Sequence, residues 1–153
     1  KQEVRDEHKE TEGSPEAKQQ VRQRQREMSR RSVRKAVASA HVILTNPTHF
    51  SVALRYDRDT DAAPVVVAKG RGVTALAIRD VAGEEQVPIL EYPALARAVY
   101  YTSREGQEVR DDLYAAIATV LAFVFNLDKR AAAAQPMVDV PATARFDENG
   151  VRQ

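Results

Sequence analysis

The chain opens on a stretch with almost no large apolar side chains, residues 1–38, and then changes character. Short β-branched runs follow at Val42–Thr45, Phe50–Arg55, Val65–Lys69 and Val87–Leu90, each bounded by turn residues, and each predicts a strand. Gly72–Gln86 sets Val73, Leu76, Ala77 and Val81 at helical spacing, so residues 65–90 predict a strand–helix–strand unit. Such a crossover implies parallel pairing and a right-handed connection. Pro93–Thr102 starts with proline and shows Leu95, Val99 and Thr102 on one side, a second helix that Gly106 closes off. About Val109–Lys129 is apolar on two faces. Leu113, Ile117, Val120, Val124 and Leu127 make one stripe, and Tyr114, Ala118, Leu121 and Phe125 the other. Two apolar faces require burial on both, or burial on one and a docking surface on the other. Past Lys129, Pro136, Pro141 and the polar run to Gln153 predict a flexible tail with little core-forming content.

The polar opening has its own start signal. Ser14-Pro15-Glu16 offers an N-cap, a proline at the first helical position and an acid in the first turn. Lys18, Arg22, Arg24, Arg26, Arg30, Arg31, Arg34 and Lys35 then face only Glu27, which predicts a polar helix that frays without a partner. A solvated connector explains it; a basic arm beside an anionic membrane, at about 1 kcal/mol per cation, is the functional version. No aromatic residue interleaves with the arginines, so nucleic acid is not an expected partner. The pattern predicts one α/β domain: a four-stranded sheet flanked by three helices, with a long polar N-terminal helix. Its expected division is a membrane-proximal linker helix over 1–38, the α/β domain over 39–130 and the tail over 131–153.

Composition narrows the chemistry. At 153 residues and 43% hydrophobic content, one domain with a real core is possible. The absence of cysteine removes disulfides, thiol nucleophiles and sulfur-based zinc sites. His8, His41 and His49 have no spacing that makes a metal cage, and no cofactor is expected. No apolar run approaches the ~18–20 residues that span a bilayer, and no signal peptide is present. The chain begins with Lys rather than Met and reads as an excised piece.

Between the first two strands lies Asn46-Pro47-Thr48-His49. Asn suits the first position of a turn and Pro is pre-set for the second. The same pair carries a reaction. An Asn side chain is ordinarily attacked by the nitrogen of the next residue, but Pro47 has no N–H, which closes that route. The carboxamide nitrogen of Asn46 can instead attack its own backbone carbonyl, close a succinimide and expel Pro47 as a new N-terminus. Held near its target, such a group has an effective molarity of ~10⁵ M or more. A strained turn and donors aimed at the oxyanion assist. Cleavage over minutes to hours corresponds to a barrier of about 21–23 kcal/mol. Thr48 and His49 are the neighbours placed to hold the turn and move a proton. On spacing alone an Asn-Pro pair is ordinarily only a turn, and that alternative stays open at this point.

The Asn46-Pro47-Thr48-His49 signature between two strands resembles the self-cleaving domain of the FlhB/YscU family, export-switch proteins of flagellar and injectisome type III secretion. The segment Lys1–Gly13, Ala63-Pro64 with the following Val-Val-Val-Ala-Lys69, Val87–Glu91 and Pro93–Arg97 are similar to family segments in order and spacing, to about Leu127. The resemblance implies cleavage between residues 46 and 47, with Asn46 as nucleophile, Pro47 as leaving group, and Thr48 and His49 as turn-shaping and proton-handling neighbours. It implies a single-turnover event that changes which substrates are exported, not a turnover enzyme. It also implies that Ala63, Pro64, Ala118 and Leu121 form an apolar patch recognising a short hydrophobic export motif. The implied partners are export-gate membrane proteins, export substrates and the hook-length or needle-length control protein. The implied location is the cytoplasmic face of the bacterial inner membrane, reached through a membrane-embedded region N-terminal to this chain. The charged leader and long tail lean toward a flagellar member.

Two alternatives remain beside it. A non-cleaving docking module would use the Asn-Pro turn structurally. A nucleotide-binding α/β domain is suggested by Gly70-Arg-Gly72-Val-Thr-Ala75 after a strand, with Glu91 downstream. A Gly-rich turn for a tight strand-to-helix exit explains the same residues, and the chain has no room for a nucleotide domain's remaining strands.

Overall fold

The computed structural model describes residues 14–47, 49–126 and 134–153. Helix α1 spans Pro15–Ala38, and its start is the one the sequence signals: the Ser14 hydroxyl accepts the Ala17 N–H at 3.3 Å, with Pro15 at the head of the helix. It does not stand alone. Val33 and Val37 are buried, and Arg26 forks onto Asp80 at 2.7 and 2.8 Å while Arg34 reaches Glu84 at 2.6 Å. Exposed ion pairs contribute little, so the buried valines are what fasten the C-terminal turns of the helix.

Strands β1 (Val42–Asn46) and β2 (Phe50–Arg55) form an antiparallel hairpin in which Asn46 faces Phe50. Strand β3 (Val65–Arg71) pairs antiparallel with β2, and the short β4 (Ile89–Glu91) pairs parallel with β1. The sheet order is β3-β2-β1-β4, which puts β1 inside the sheet. Helix α2 (Val73–Glu84) connects β3 to β4, but those strands are not neighbours as the crossover implied. They run the same way at opposite edges, because the β1–β2 hairpin fills the space between them. A twelve-residue helix, ~18 Å long, is enough to cross that width.

Both faces of the sheet are covered, which is why β1 reads as a continuous apolar run rather than an alternating one. Val42, Leu44, Val52 and Leu54 pack on one side against α3 (Pro93–Thr102) and α4 (Tyr114–Phe125) through Leu95, Val99, Ile117 and Val120, joined by Leu113 just before α4. Ile43, Ala53 and Ala68 face Ile78 and Val81 of α2 and Val33 and Val37 of α1. A bulge at β3 lets Val66 join the first side and Ala68 the second, since Leu54 pairs with Val66 and Ala53 with Ala68.

Two expectations are corrected. The last helix does not begin near Val109: that residue lies outside any helix and donates to the Pro64 carbonyl at 2.8 Å, and Glu108 bridges to Val65. Residues 106–109 thereby cover the open edge of β3. A 3₁₀ turn, Asp111–Leu113, follows before α4, and residues 127–129 of the expected helix lie outside the described residues. Nor are the described tail residues a loose appendage. Val140 and Ala144 are buried in the core, Arg97 donates to the Phe146 carbonyl at 2.7 Å, and Phe146 bridges to Arg152. The tail supplies few apolar residues, but Val138, Val140, Ala144 and Phe146 pack against the core beside α3 and α4, whereas Met137 and Val151 stay exposed. Among the described residues no helix is long and apolar enough to cross a membrane.

Candidate functional site

The hairpin register leaves Pro47, Thr48 and His49 to connect β1 with β2. Both ends of this connection are anchored. On one side Thr45 holds β4 through its carbonyl, which accepts the Tyr92 N–H at 3.0 Å. On the other, Phe50 is 1% exposed, with its ring centroid 4.7 Å from Tyr100 and 5.7 Å from Tyr101. The Arg71 guanidinium lies 5.3 Å over the outer face of the same ring.

Three features of the turn bear on reactivity. The Asn46 side chain is buried, and its Nδ2 has no hydrogen-bond partner among the described residues. A buried amide donor left unpaired costs ~1–3 kcal/mol, so its place beside the Asn46–Pro47 bond calls for an explanation. The Asn46 carbonyl oxygen, the atom that would carry negative charge in ring closure, accepts the His49 backbone N–H at 2.9 Å. The Pro47 carbonyl accepts Arg79 Nη1 of α2 at 2.8 Å. A carboxamide nitrogen with no partner among the described residues, a hydrogen-bonded carbonyl and a nitrogen without N–H therefore flank one peptide bond.

The residues expected at this site divide as follows. Asn46, Pro47 and His49 come together in the turn, and Thr48 lies outside the described residues. The His49 ring has Nε2 3.2 Å from a Glu148 carboxylate oxygen. His41 sits elsewhere: its Nδ1 accepts the Tyr56 N–H at 2.9 Å and its ring meets Phe125 edge-on, a structural role. Arg79 and Glu148 had no local signal, since each reaches the turn from a distant part of the chain.

The second expected set also converges. Ala63, Pro64, Ala118 and Leu121 line one groove of about 280 Å³ together with Tyr56, Tyr114 and Phe125. Ala63 and Leu121 form its buried floor, whereas Ala118 and Tyr114 are exposed on its wall. Arg58 caps one end, its guanidinium 4.9 Å from the Phe125 ring centroid. Tyr56 and Arg58 follow the far end of β2, so groove and turn lie at opposite ends of the hairpin, ~17–20 Å apart by strand length.

The glycine-rich turn before α2 is built for packing. A Cβ on Gly70 would fall 2.3 Å from Thr74 Cγ2, so glycine is required for strand and helix to meet. Gly72 has φ +58°, a left-handed conformation that glycine adopts without strain. Lys69 donates to the Tyr100 carbonyl at 2.7 Å and Arg71 covers Phe50, so the neighbouring cations are already engaged. Burial lowers the Lys69 pKa from its usual value. Among the described residues no group of His, Asp or Glu could hold a metal ion.

Comparison with known proteins places these features in context. The family described as the FlhB HrpN YscU SpaS family matches residues 1–124. Flagellar biosynthetic protein FlhB of Salmonella typhimurium is 50% identical over 129 residues, which cover 84% of this chain and 34% of that protein. The Escherichia coli protein of the same name is 49% identical over 129 residues, with the same coverage. This chain thus spans about a third of the length of these curated relatives. Among solved structures, the cytoplasmic domain of FlhB from Shewanella putrefaciens aligns with a TM-score of 0.68 and 35% identity, covering 76% of this chain and 95% of that one. A mutated EscU C-terminal domain aligns with a TM-score of 0.60 and 28% identity, over 63% of this chain and 97% of that one.

Proposed function

The chain belongs to the FlhB HrpN YscU SpaS family, its similarity is to the flagellar members, and from that premise we propose that it is a self-cleaving switch of a protein-export apparatus. The Asn46–Pro47 bond is cut once. Asn46 Nδ2 attacks the Asn46 carbonyl carbon, and the tetrahedral oxyanion is held by the His49 N–H. The bond to Pro47 nitrogen then breaks, that nitrogen taking up the proton lost by Nδ2. The products are residues 1–46 ending in a succinimide, and residues 47–153 beginning with a free prolyl amine. No cofactor or water enters the step. Thr48 shapes the turn, His49 moves the proton, and Arg79 pins the turn through the Pro47 carbonyl. Because each molecule reacts once, this is not a turnover enzyme.

The observation that carries the reading is the pairing of a buried Asn46 Nδ2, without a partner among the described residues, with a carbonyl already bonded to His49 N–H at 2.9 Å. A merely structural Asn-Pro turn has no need of the first feature. The cut leaves the fragments together, because β1 is an inner strand paired on both sides. Its consequence is local freedom for Pro47–Phe50, which reshapes the surface at that end and changes which export substrates are accepted.

The groove at the other end of the hairpin, with Ala63, Pro64, Ala118 and Leu121, takes a short apolar motif of early substrates. Export-gate membrane proteins and the hook-length or needle-length control protein are the remaining partners. The domain works at the cytoplasmic face of the bacterial inner membrane. Intact-mass measurement under denaturing conditions tests the cleavage. The parent should give two fragments split between residues 46 and 47, and Asn46→Ala one uncut chain. A parent that stays whole after prolonged incubation at neutral pH overturns the reading.

A further inference from the structure

The family match ends at residue 124, yet the chain's last segment returns to the cleavage turn. Asp147–Val151 is a tight reversal. The Asp147 carboxylate accepts the Asn149 and Val151 N–H groups at 2.9 and 2.8 Å, and the backbone closes between Asp147 N–H and Val151 O at 2.9 Å. Gly150 sits at φ +81° against Tyr101, where a Cβ would come within 2.7 Å of the ring. Tyr101 in turn donates its hydroxyl to the Glu148 carbonyl at 2.6 Å. Phe50, Tyr101 and Phe146 form a continuous aromatic row, with centroid spacings of 5.7 and 5.6 Å. The reversal is therefore fixed to the same rings that anchor the start of β2, and it delivers one carboxylate to the turn. That carboxylate is Glu148, 3.2 Å from His49 Nε2.

We propose that Glu148 is a positioning residue for cleavage: its carboxylate accepts the His49 Nε2–H and fixes the orientation and tautomer of the ring beside the Asn46–Pro47 bond. A histidine's reactive nitrogen is set by the hydrogen bond the other nitrogen makes. A carboxylate bonded to a histidine holds the imidazole in one tautomer and orientation, the role a buried carboxylate plays beside a catalytic histidine. Here the pair is partly exposed, with side chains 37% and 54% accessible, so its effect is smaller than in an enclosed site. The C-terminal segment thereby couples its own docking to the rate of the cut. This inference rests on the cleavage reading above.

The test compares the full chain with Glu148→Gln in two ways. First, the cleavage half-life of freshly refolded protein is followed by intact mass. Glu148→Gln should slow it about three- to tenfold, between the range of an exposed ion pair and that of a charge-assisted hydrogen bond, with an unchanged melting temperature. Second, the His49 ring is observed by two-bond ¹H–¹⁵N correlation in the uncut Asn46→Ala chain, with its resonances assigned by loss in His49→Gln. The ring should be protonated at Nε2, and adding Glu148→Gln should shift the tautomer ratio. Equal cleavage rates, or an identical ring spectrum with and without Glu148→Gln, overturns the positioning role. An uncut parent is a different result: it removes the cleavage reading itself and the positioning role with it.

Discussion

Arg79→Ala is the substitution that most directly probes how the turn is held. Arg79 Nη1 donates to the Pro47 carbonyl at 2.8 Å, the one side-chain donor on that carbonyl among the described residues. A hydrogen bond to a charged donor contributes ~1.5–3 kcal/mol, and a half-buried guanidinium belongs in the lower part of that range. Ring closure demands that the Asn46 carbonyl and side chain keep their relation while the Pro47 nitrogen departs. A turn freed to relax populates the reactive geometry less often. Losing ~1.5–2 kcal/mol of that restraint slows cleavage about 10–30-fold. The same loss lowers the melting temperature by about 3–8 °C for a chain of this size, so rates should be compared well below the transition. The assay is a time course of intact mass after refolding from denaturant, with Asn46→Ala as the uncut reference. Arg79→Lys keeps the charge on a more flexible stem and should fall between the two. Cleavage of Arg79→Ala within twofold of the parent would refute the argument that this contact restrains the reactive turn.

Other consequences follow from separate parts of the fold. Gly70→Ala forces a methyl into Thr74 and should destabilise by ~1–3 kcal/mol, read as a melting temperature lower by about 2–12 °C, without altering the mass of the cleavage products. Ala118→Asp places a charge on the exposed groove wall; it should change melting by no more than about 3 °C and weaken binding of a short apolar peptide at least about tenfold, an effect of ~1.4 kcal/mol by titration calorimetry. Asp112 is held at a pKa of about 2, chiefly by Arg110, and also by the Thr143 hydroxyl donated from the tail. A depressed folded pKa adds stability above the unfolded value near 4 and loses it as pH falls toward 2. The stability gap between the parent and Asp112→Asn should therefore be full at pH 5–7 and close between about pH 4 and 2, measured by urea titration.

The elements with strong local signals were legible as they stand. Ser14-Pro15 starts α1, Pro93–Thr102 is a helix over those bounds, and the first three β-branched runs became strands, while the run at Val87–Leu90 became the shifted and shorter Ile89–Glu91. The reaction proposed for residue 46 also rests on local sequence, because it depends on the absence of an N–H on the very next residue. What could not be read were relations between distant segments. Strand order is one case: the 65–90 unit looked locally like adjacent parallel strands, yet β1 and β2 lie between them. The tail is another, since Val140 and Ala144 carry no periodicity and acquire meaning only against α3 and α4.

The sequence by itself determined that an Asn-Pro pair, with no N–H on the second residue, sits between two strands, and which residues flank it. The tertiary structure decided what surrounds that pair. It brought Arg79 across 32 residues to the Pro47 carbonyl, set Glu148 beside His49, and collected Ala63, Pro64, Ala118 and Leu121 around one groove. Periodicity, caps and turn residues act over a few positions and are written locally. A contact between distant side chains is fixed by packing of the whole core, and no short stretch encodes it.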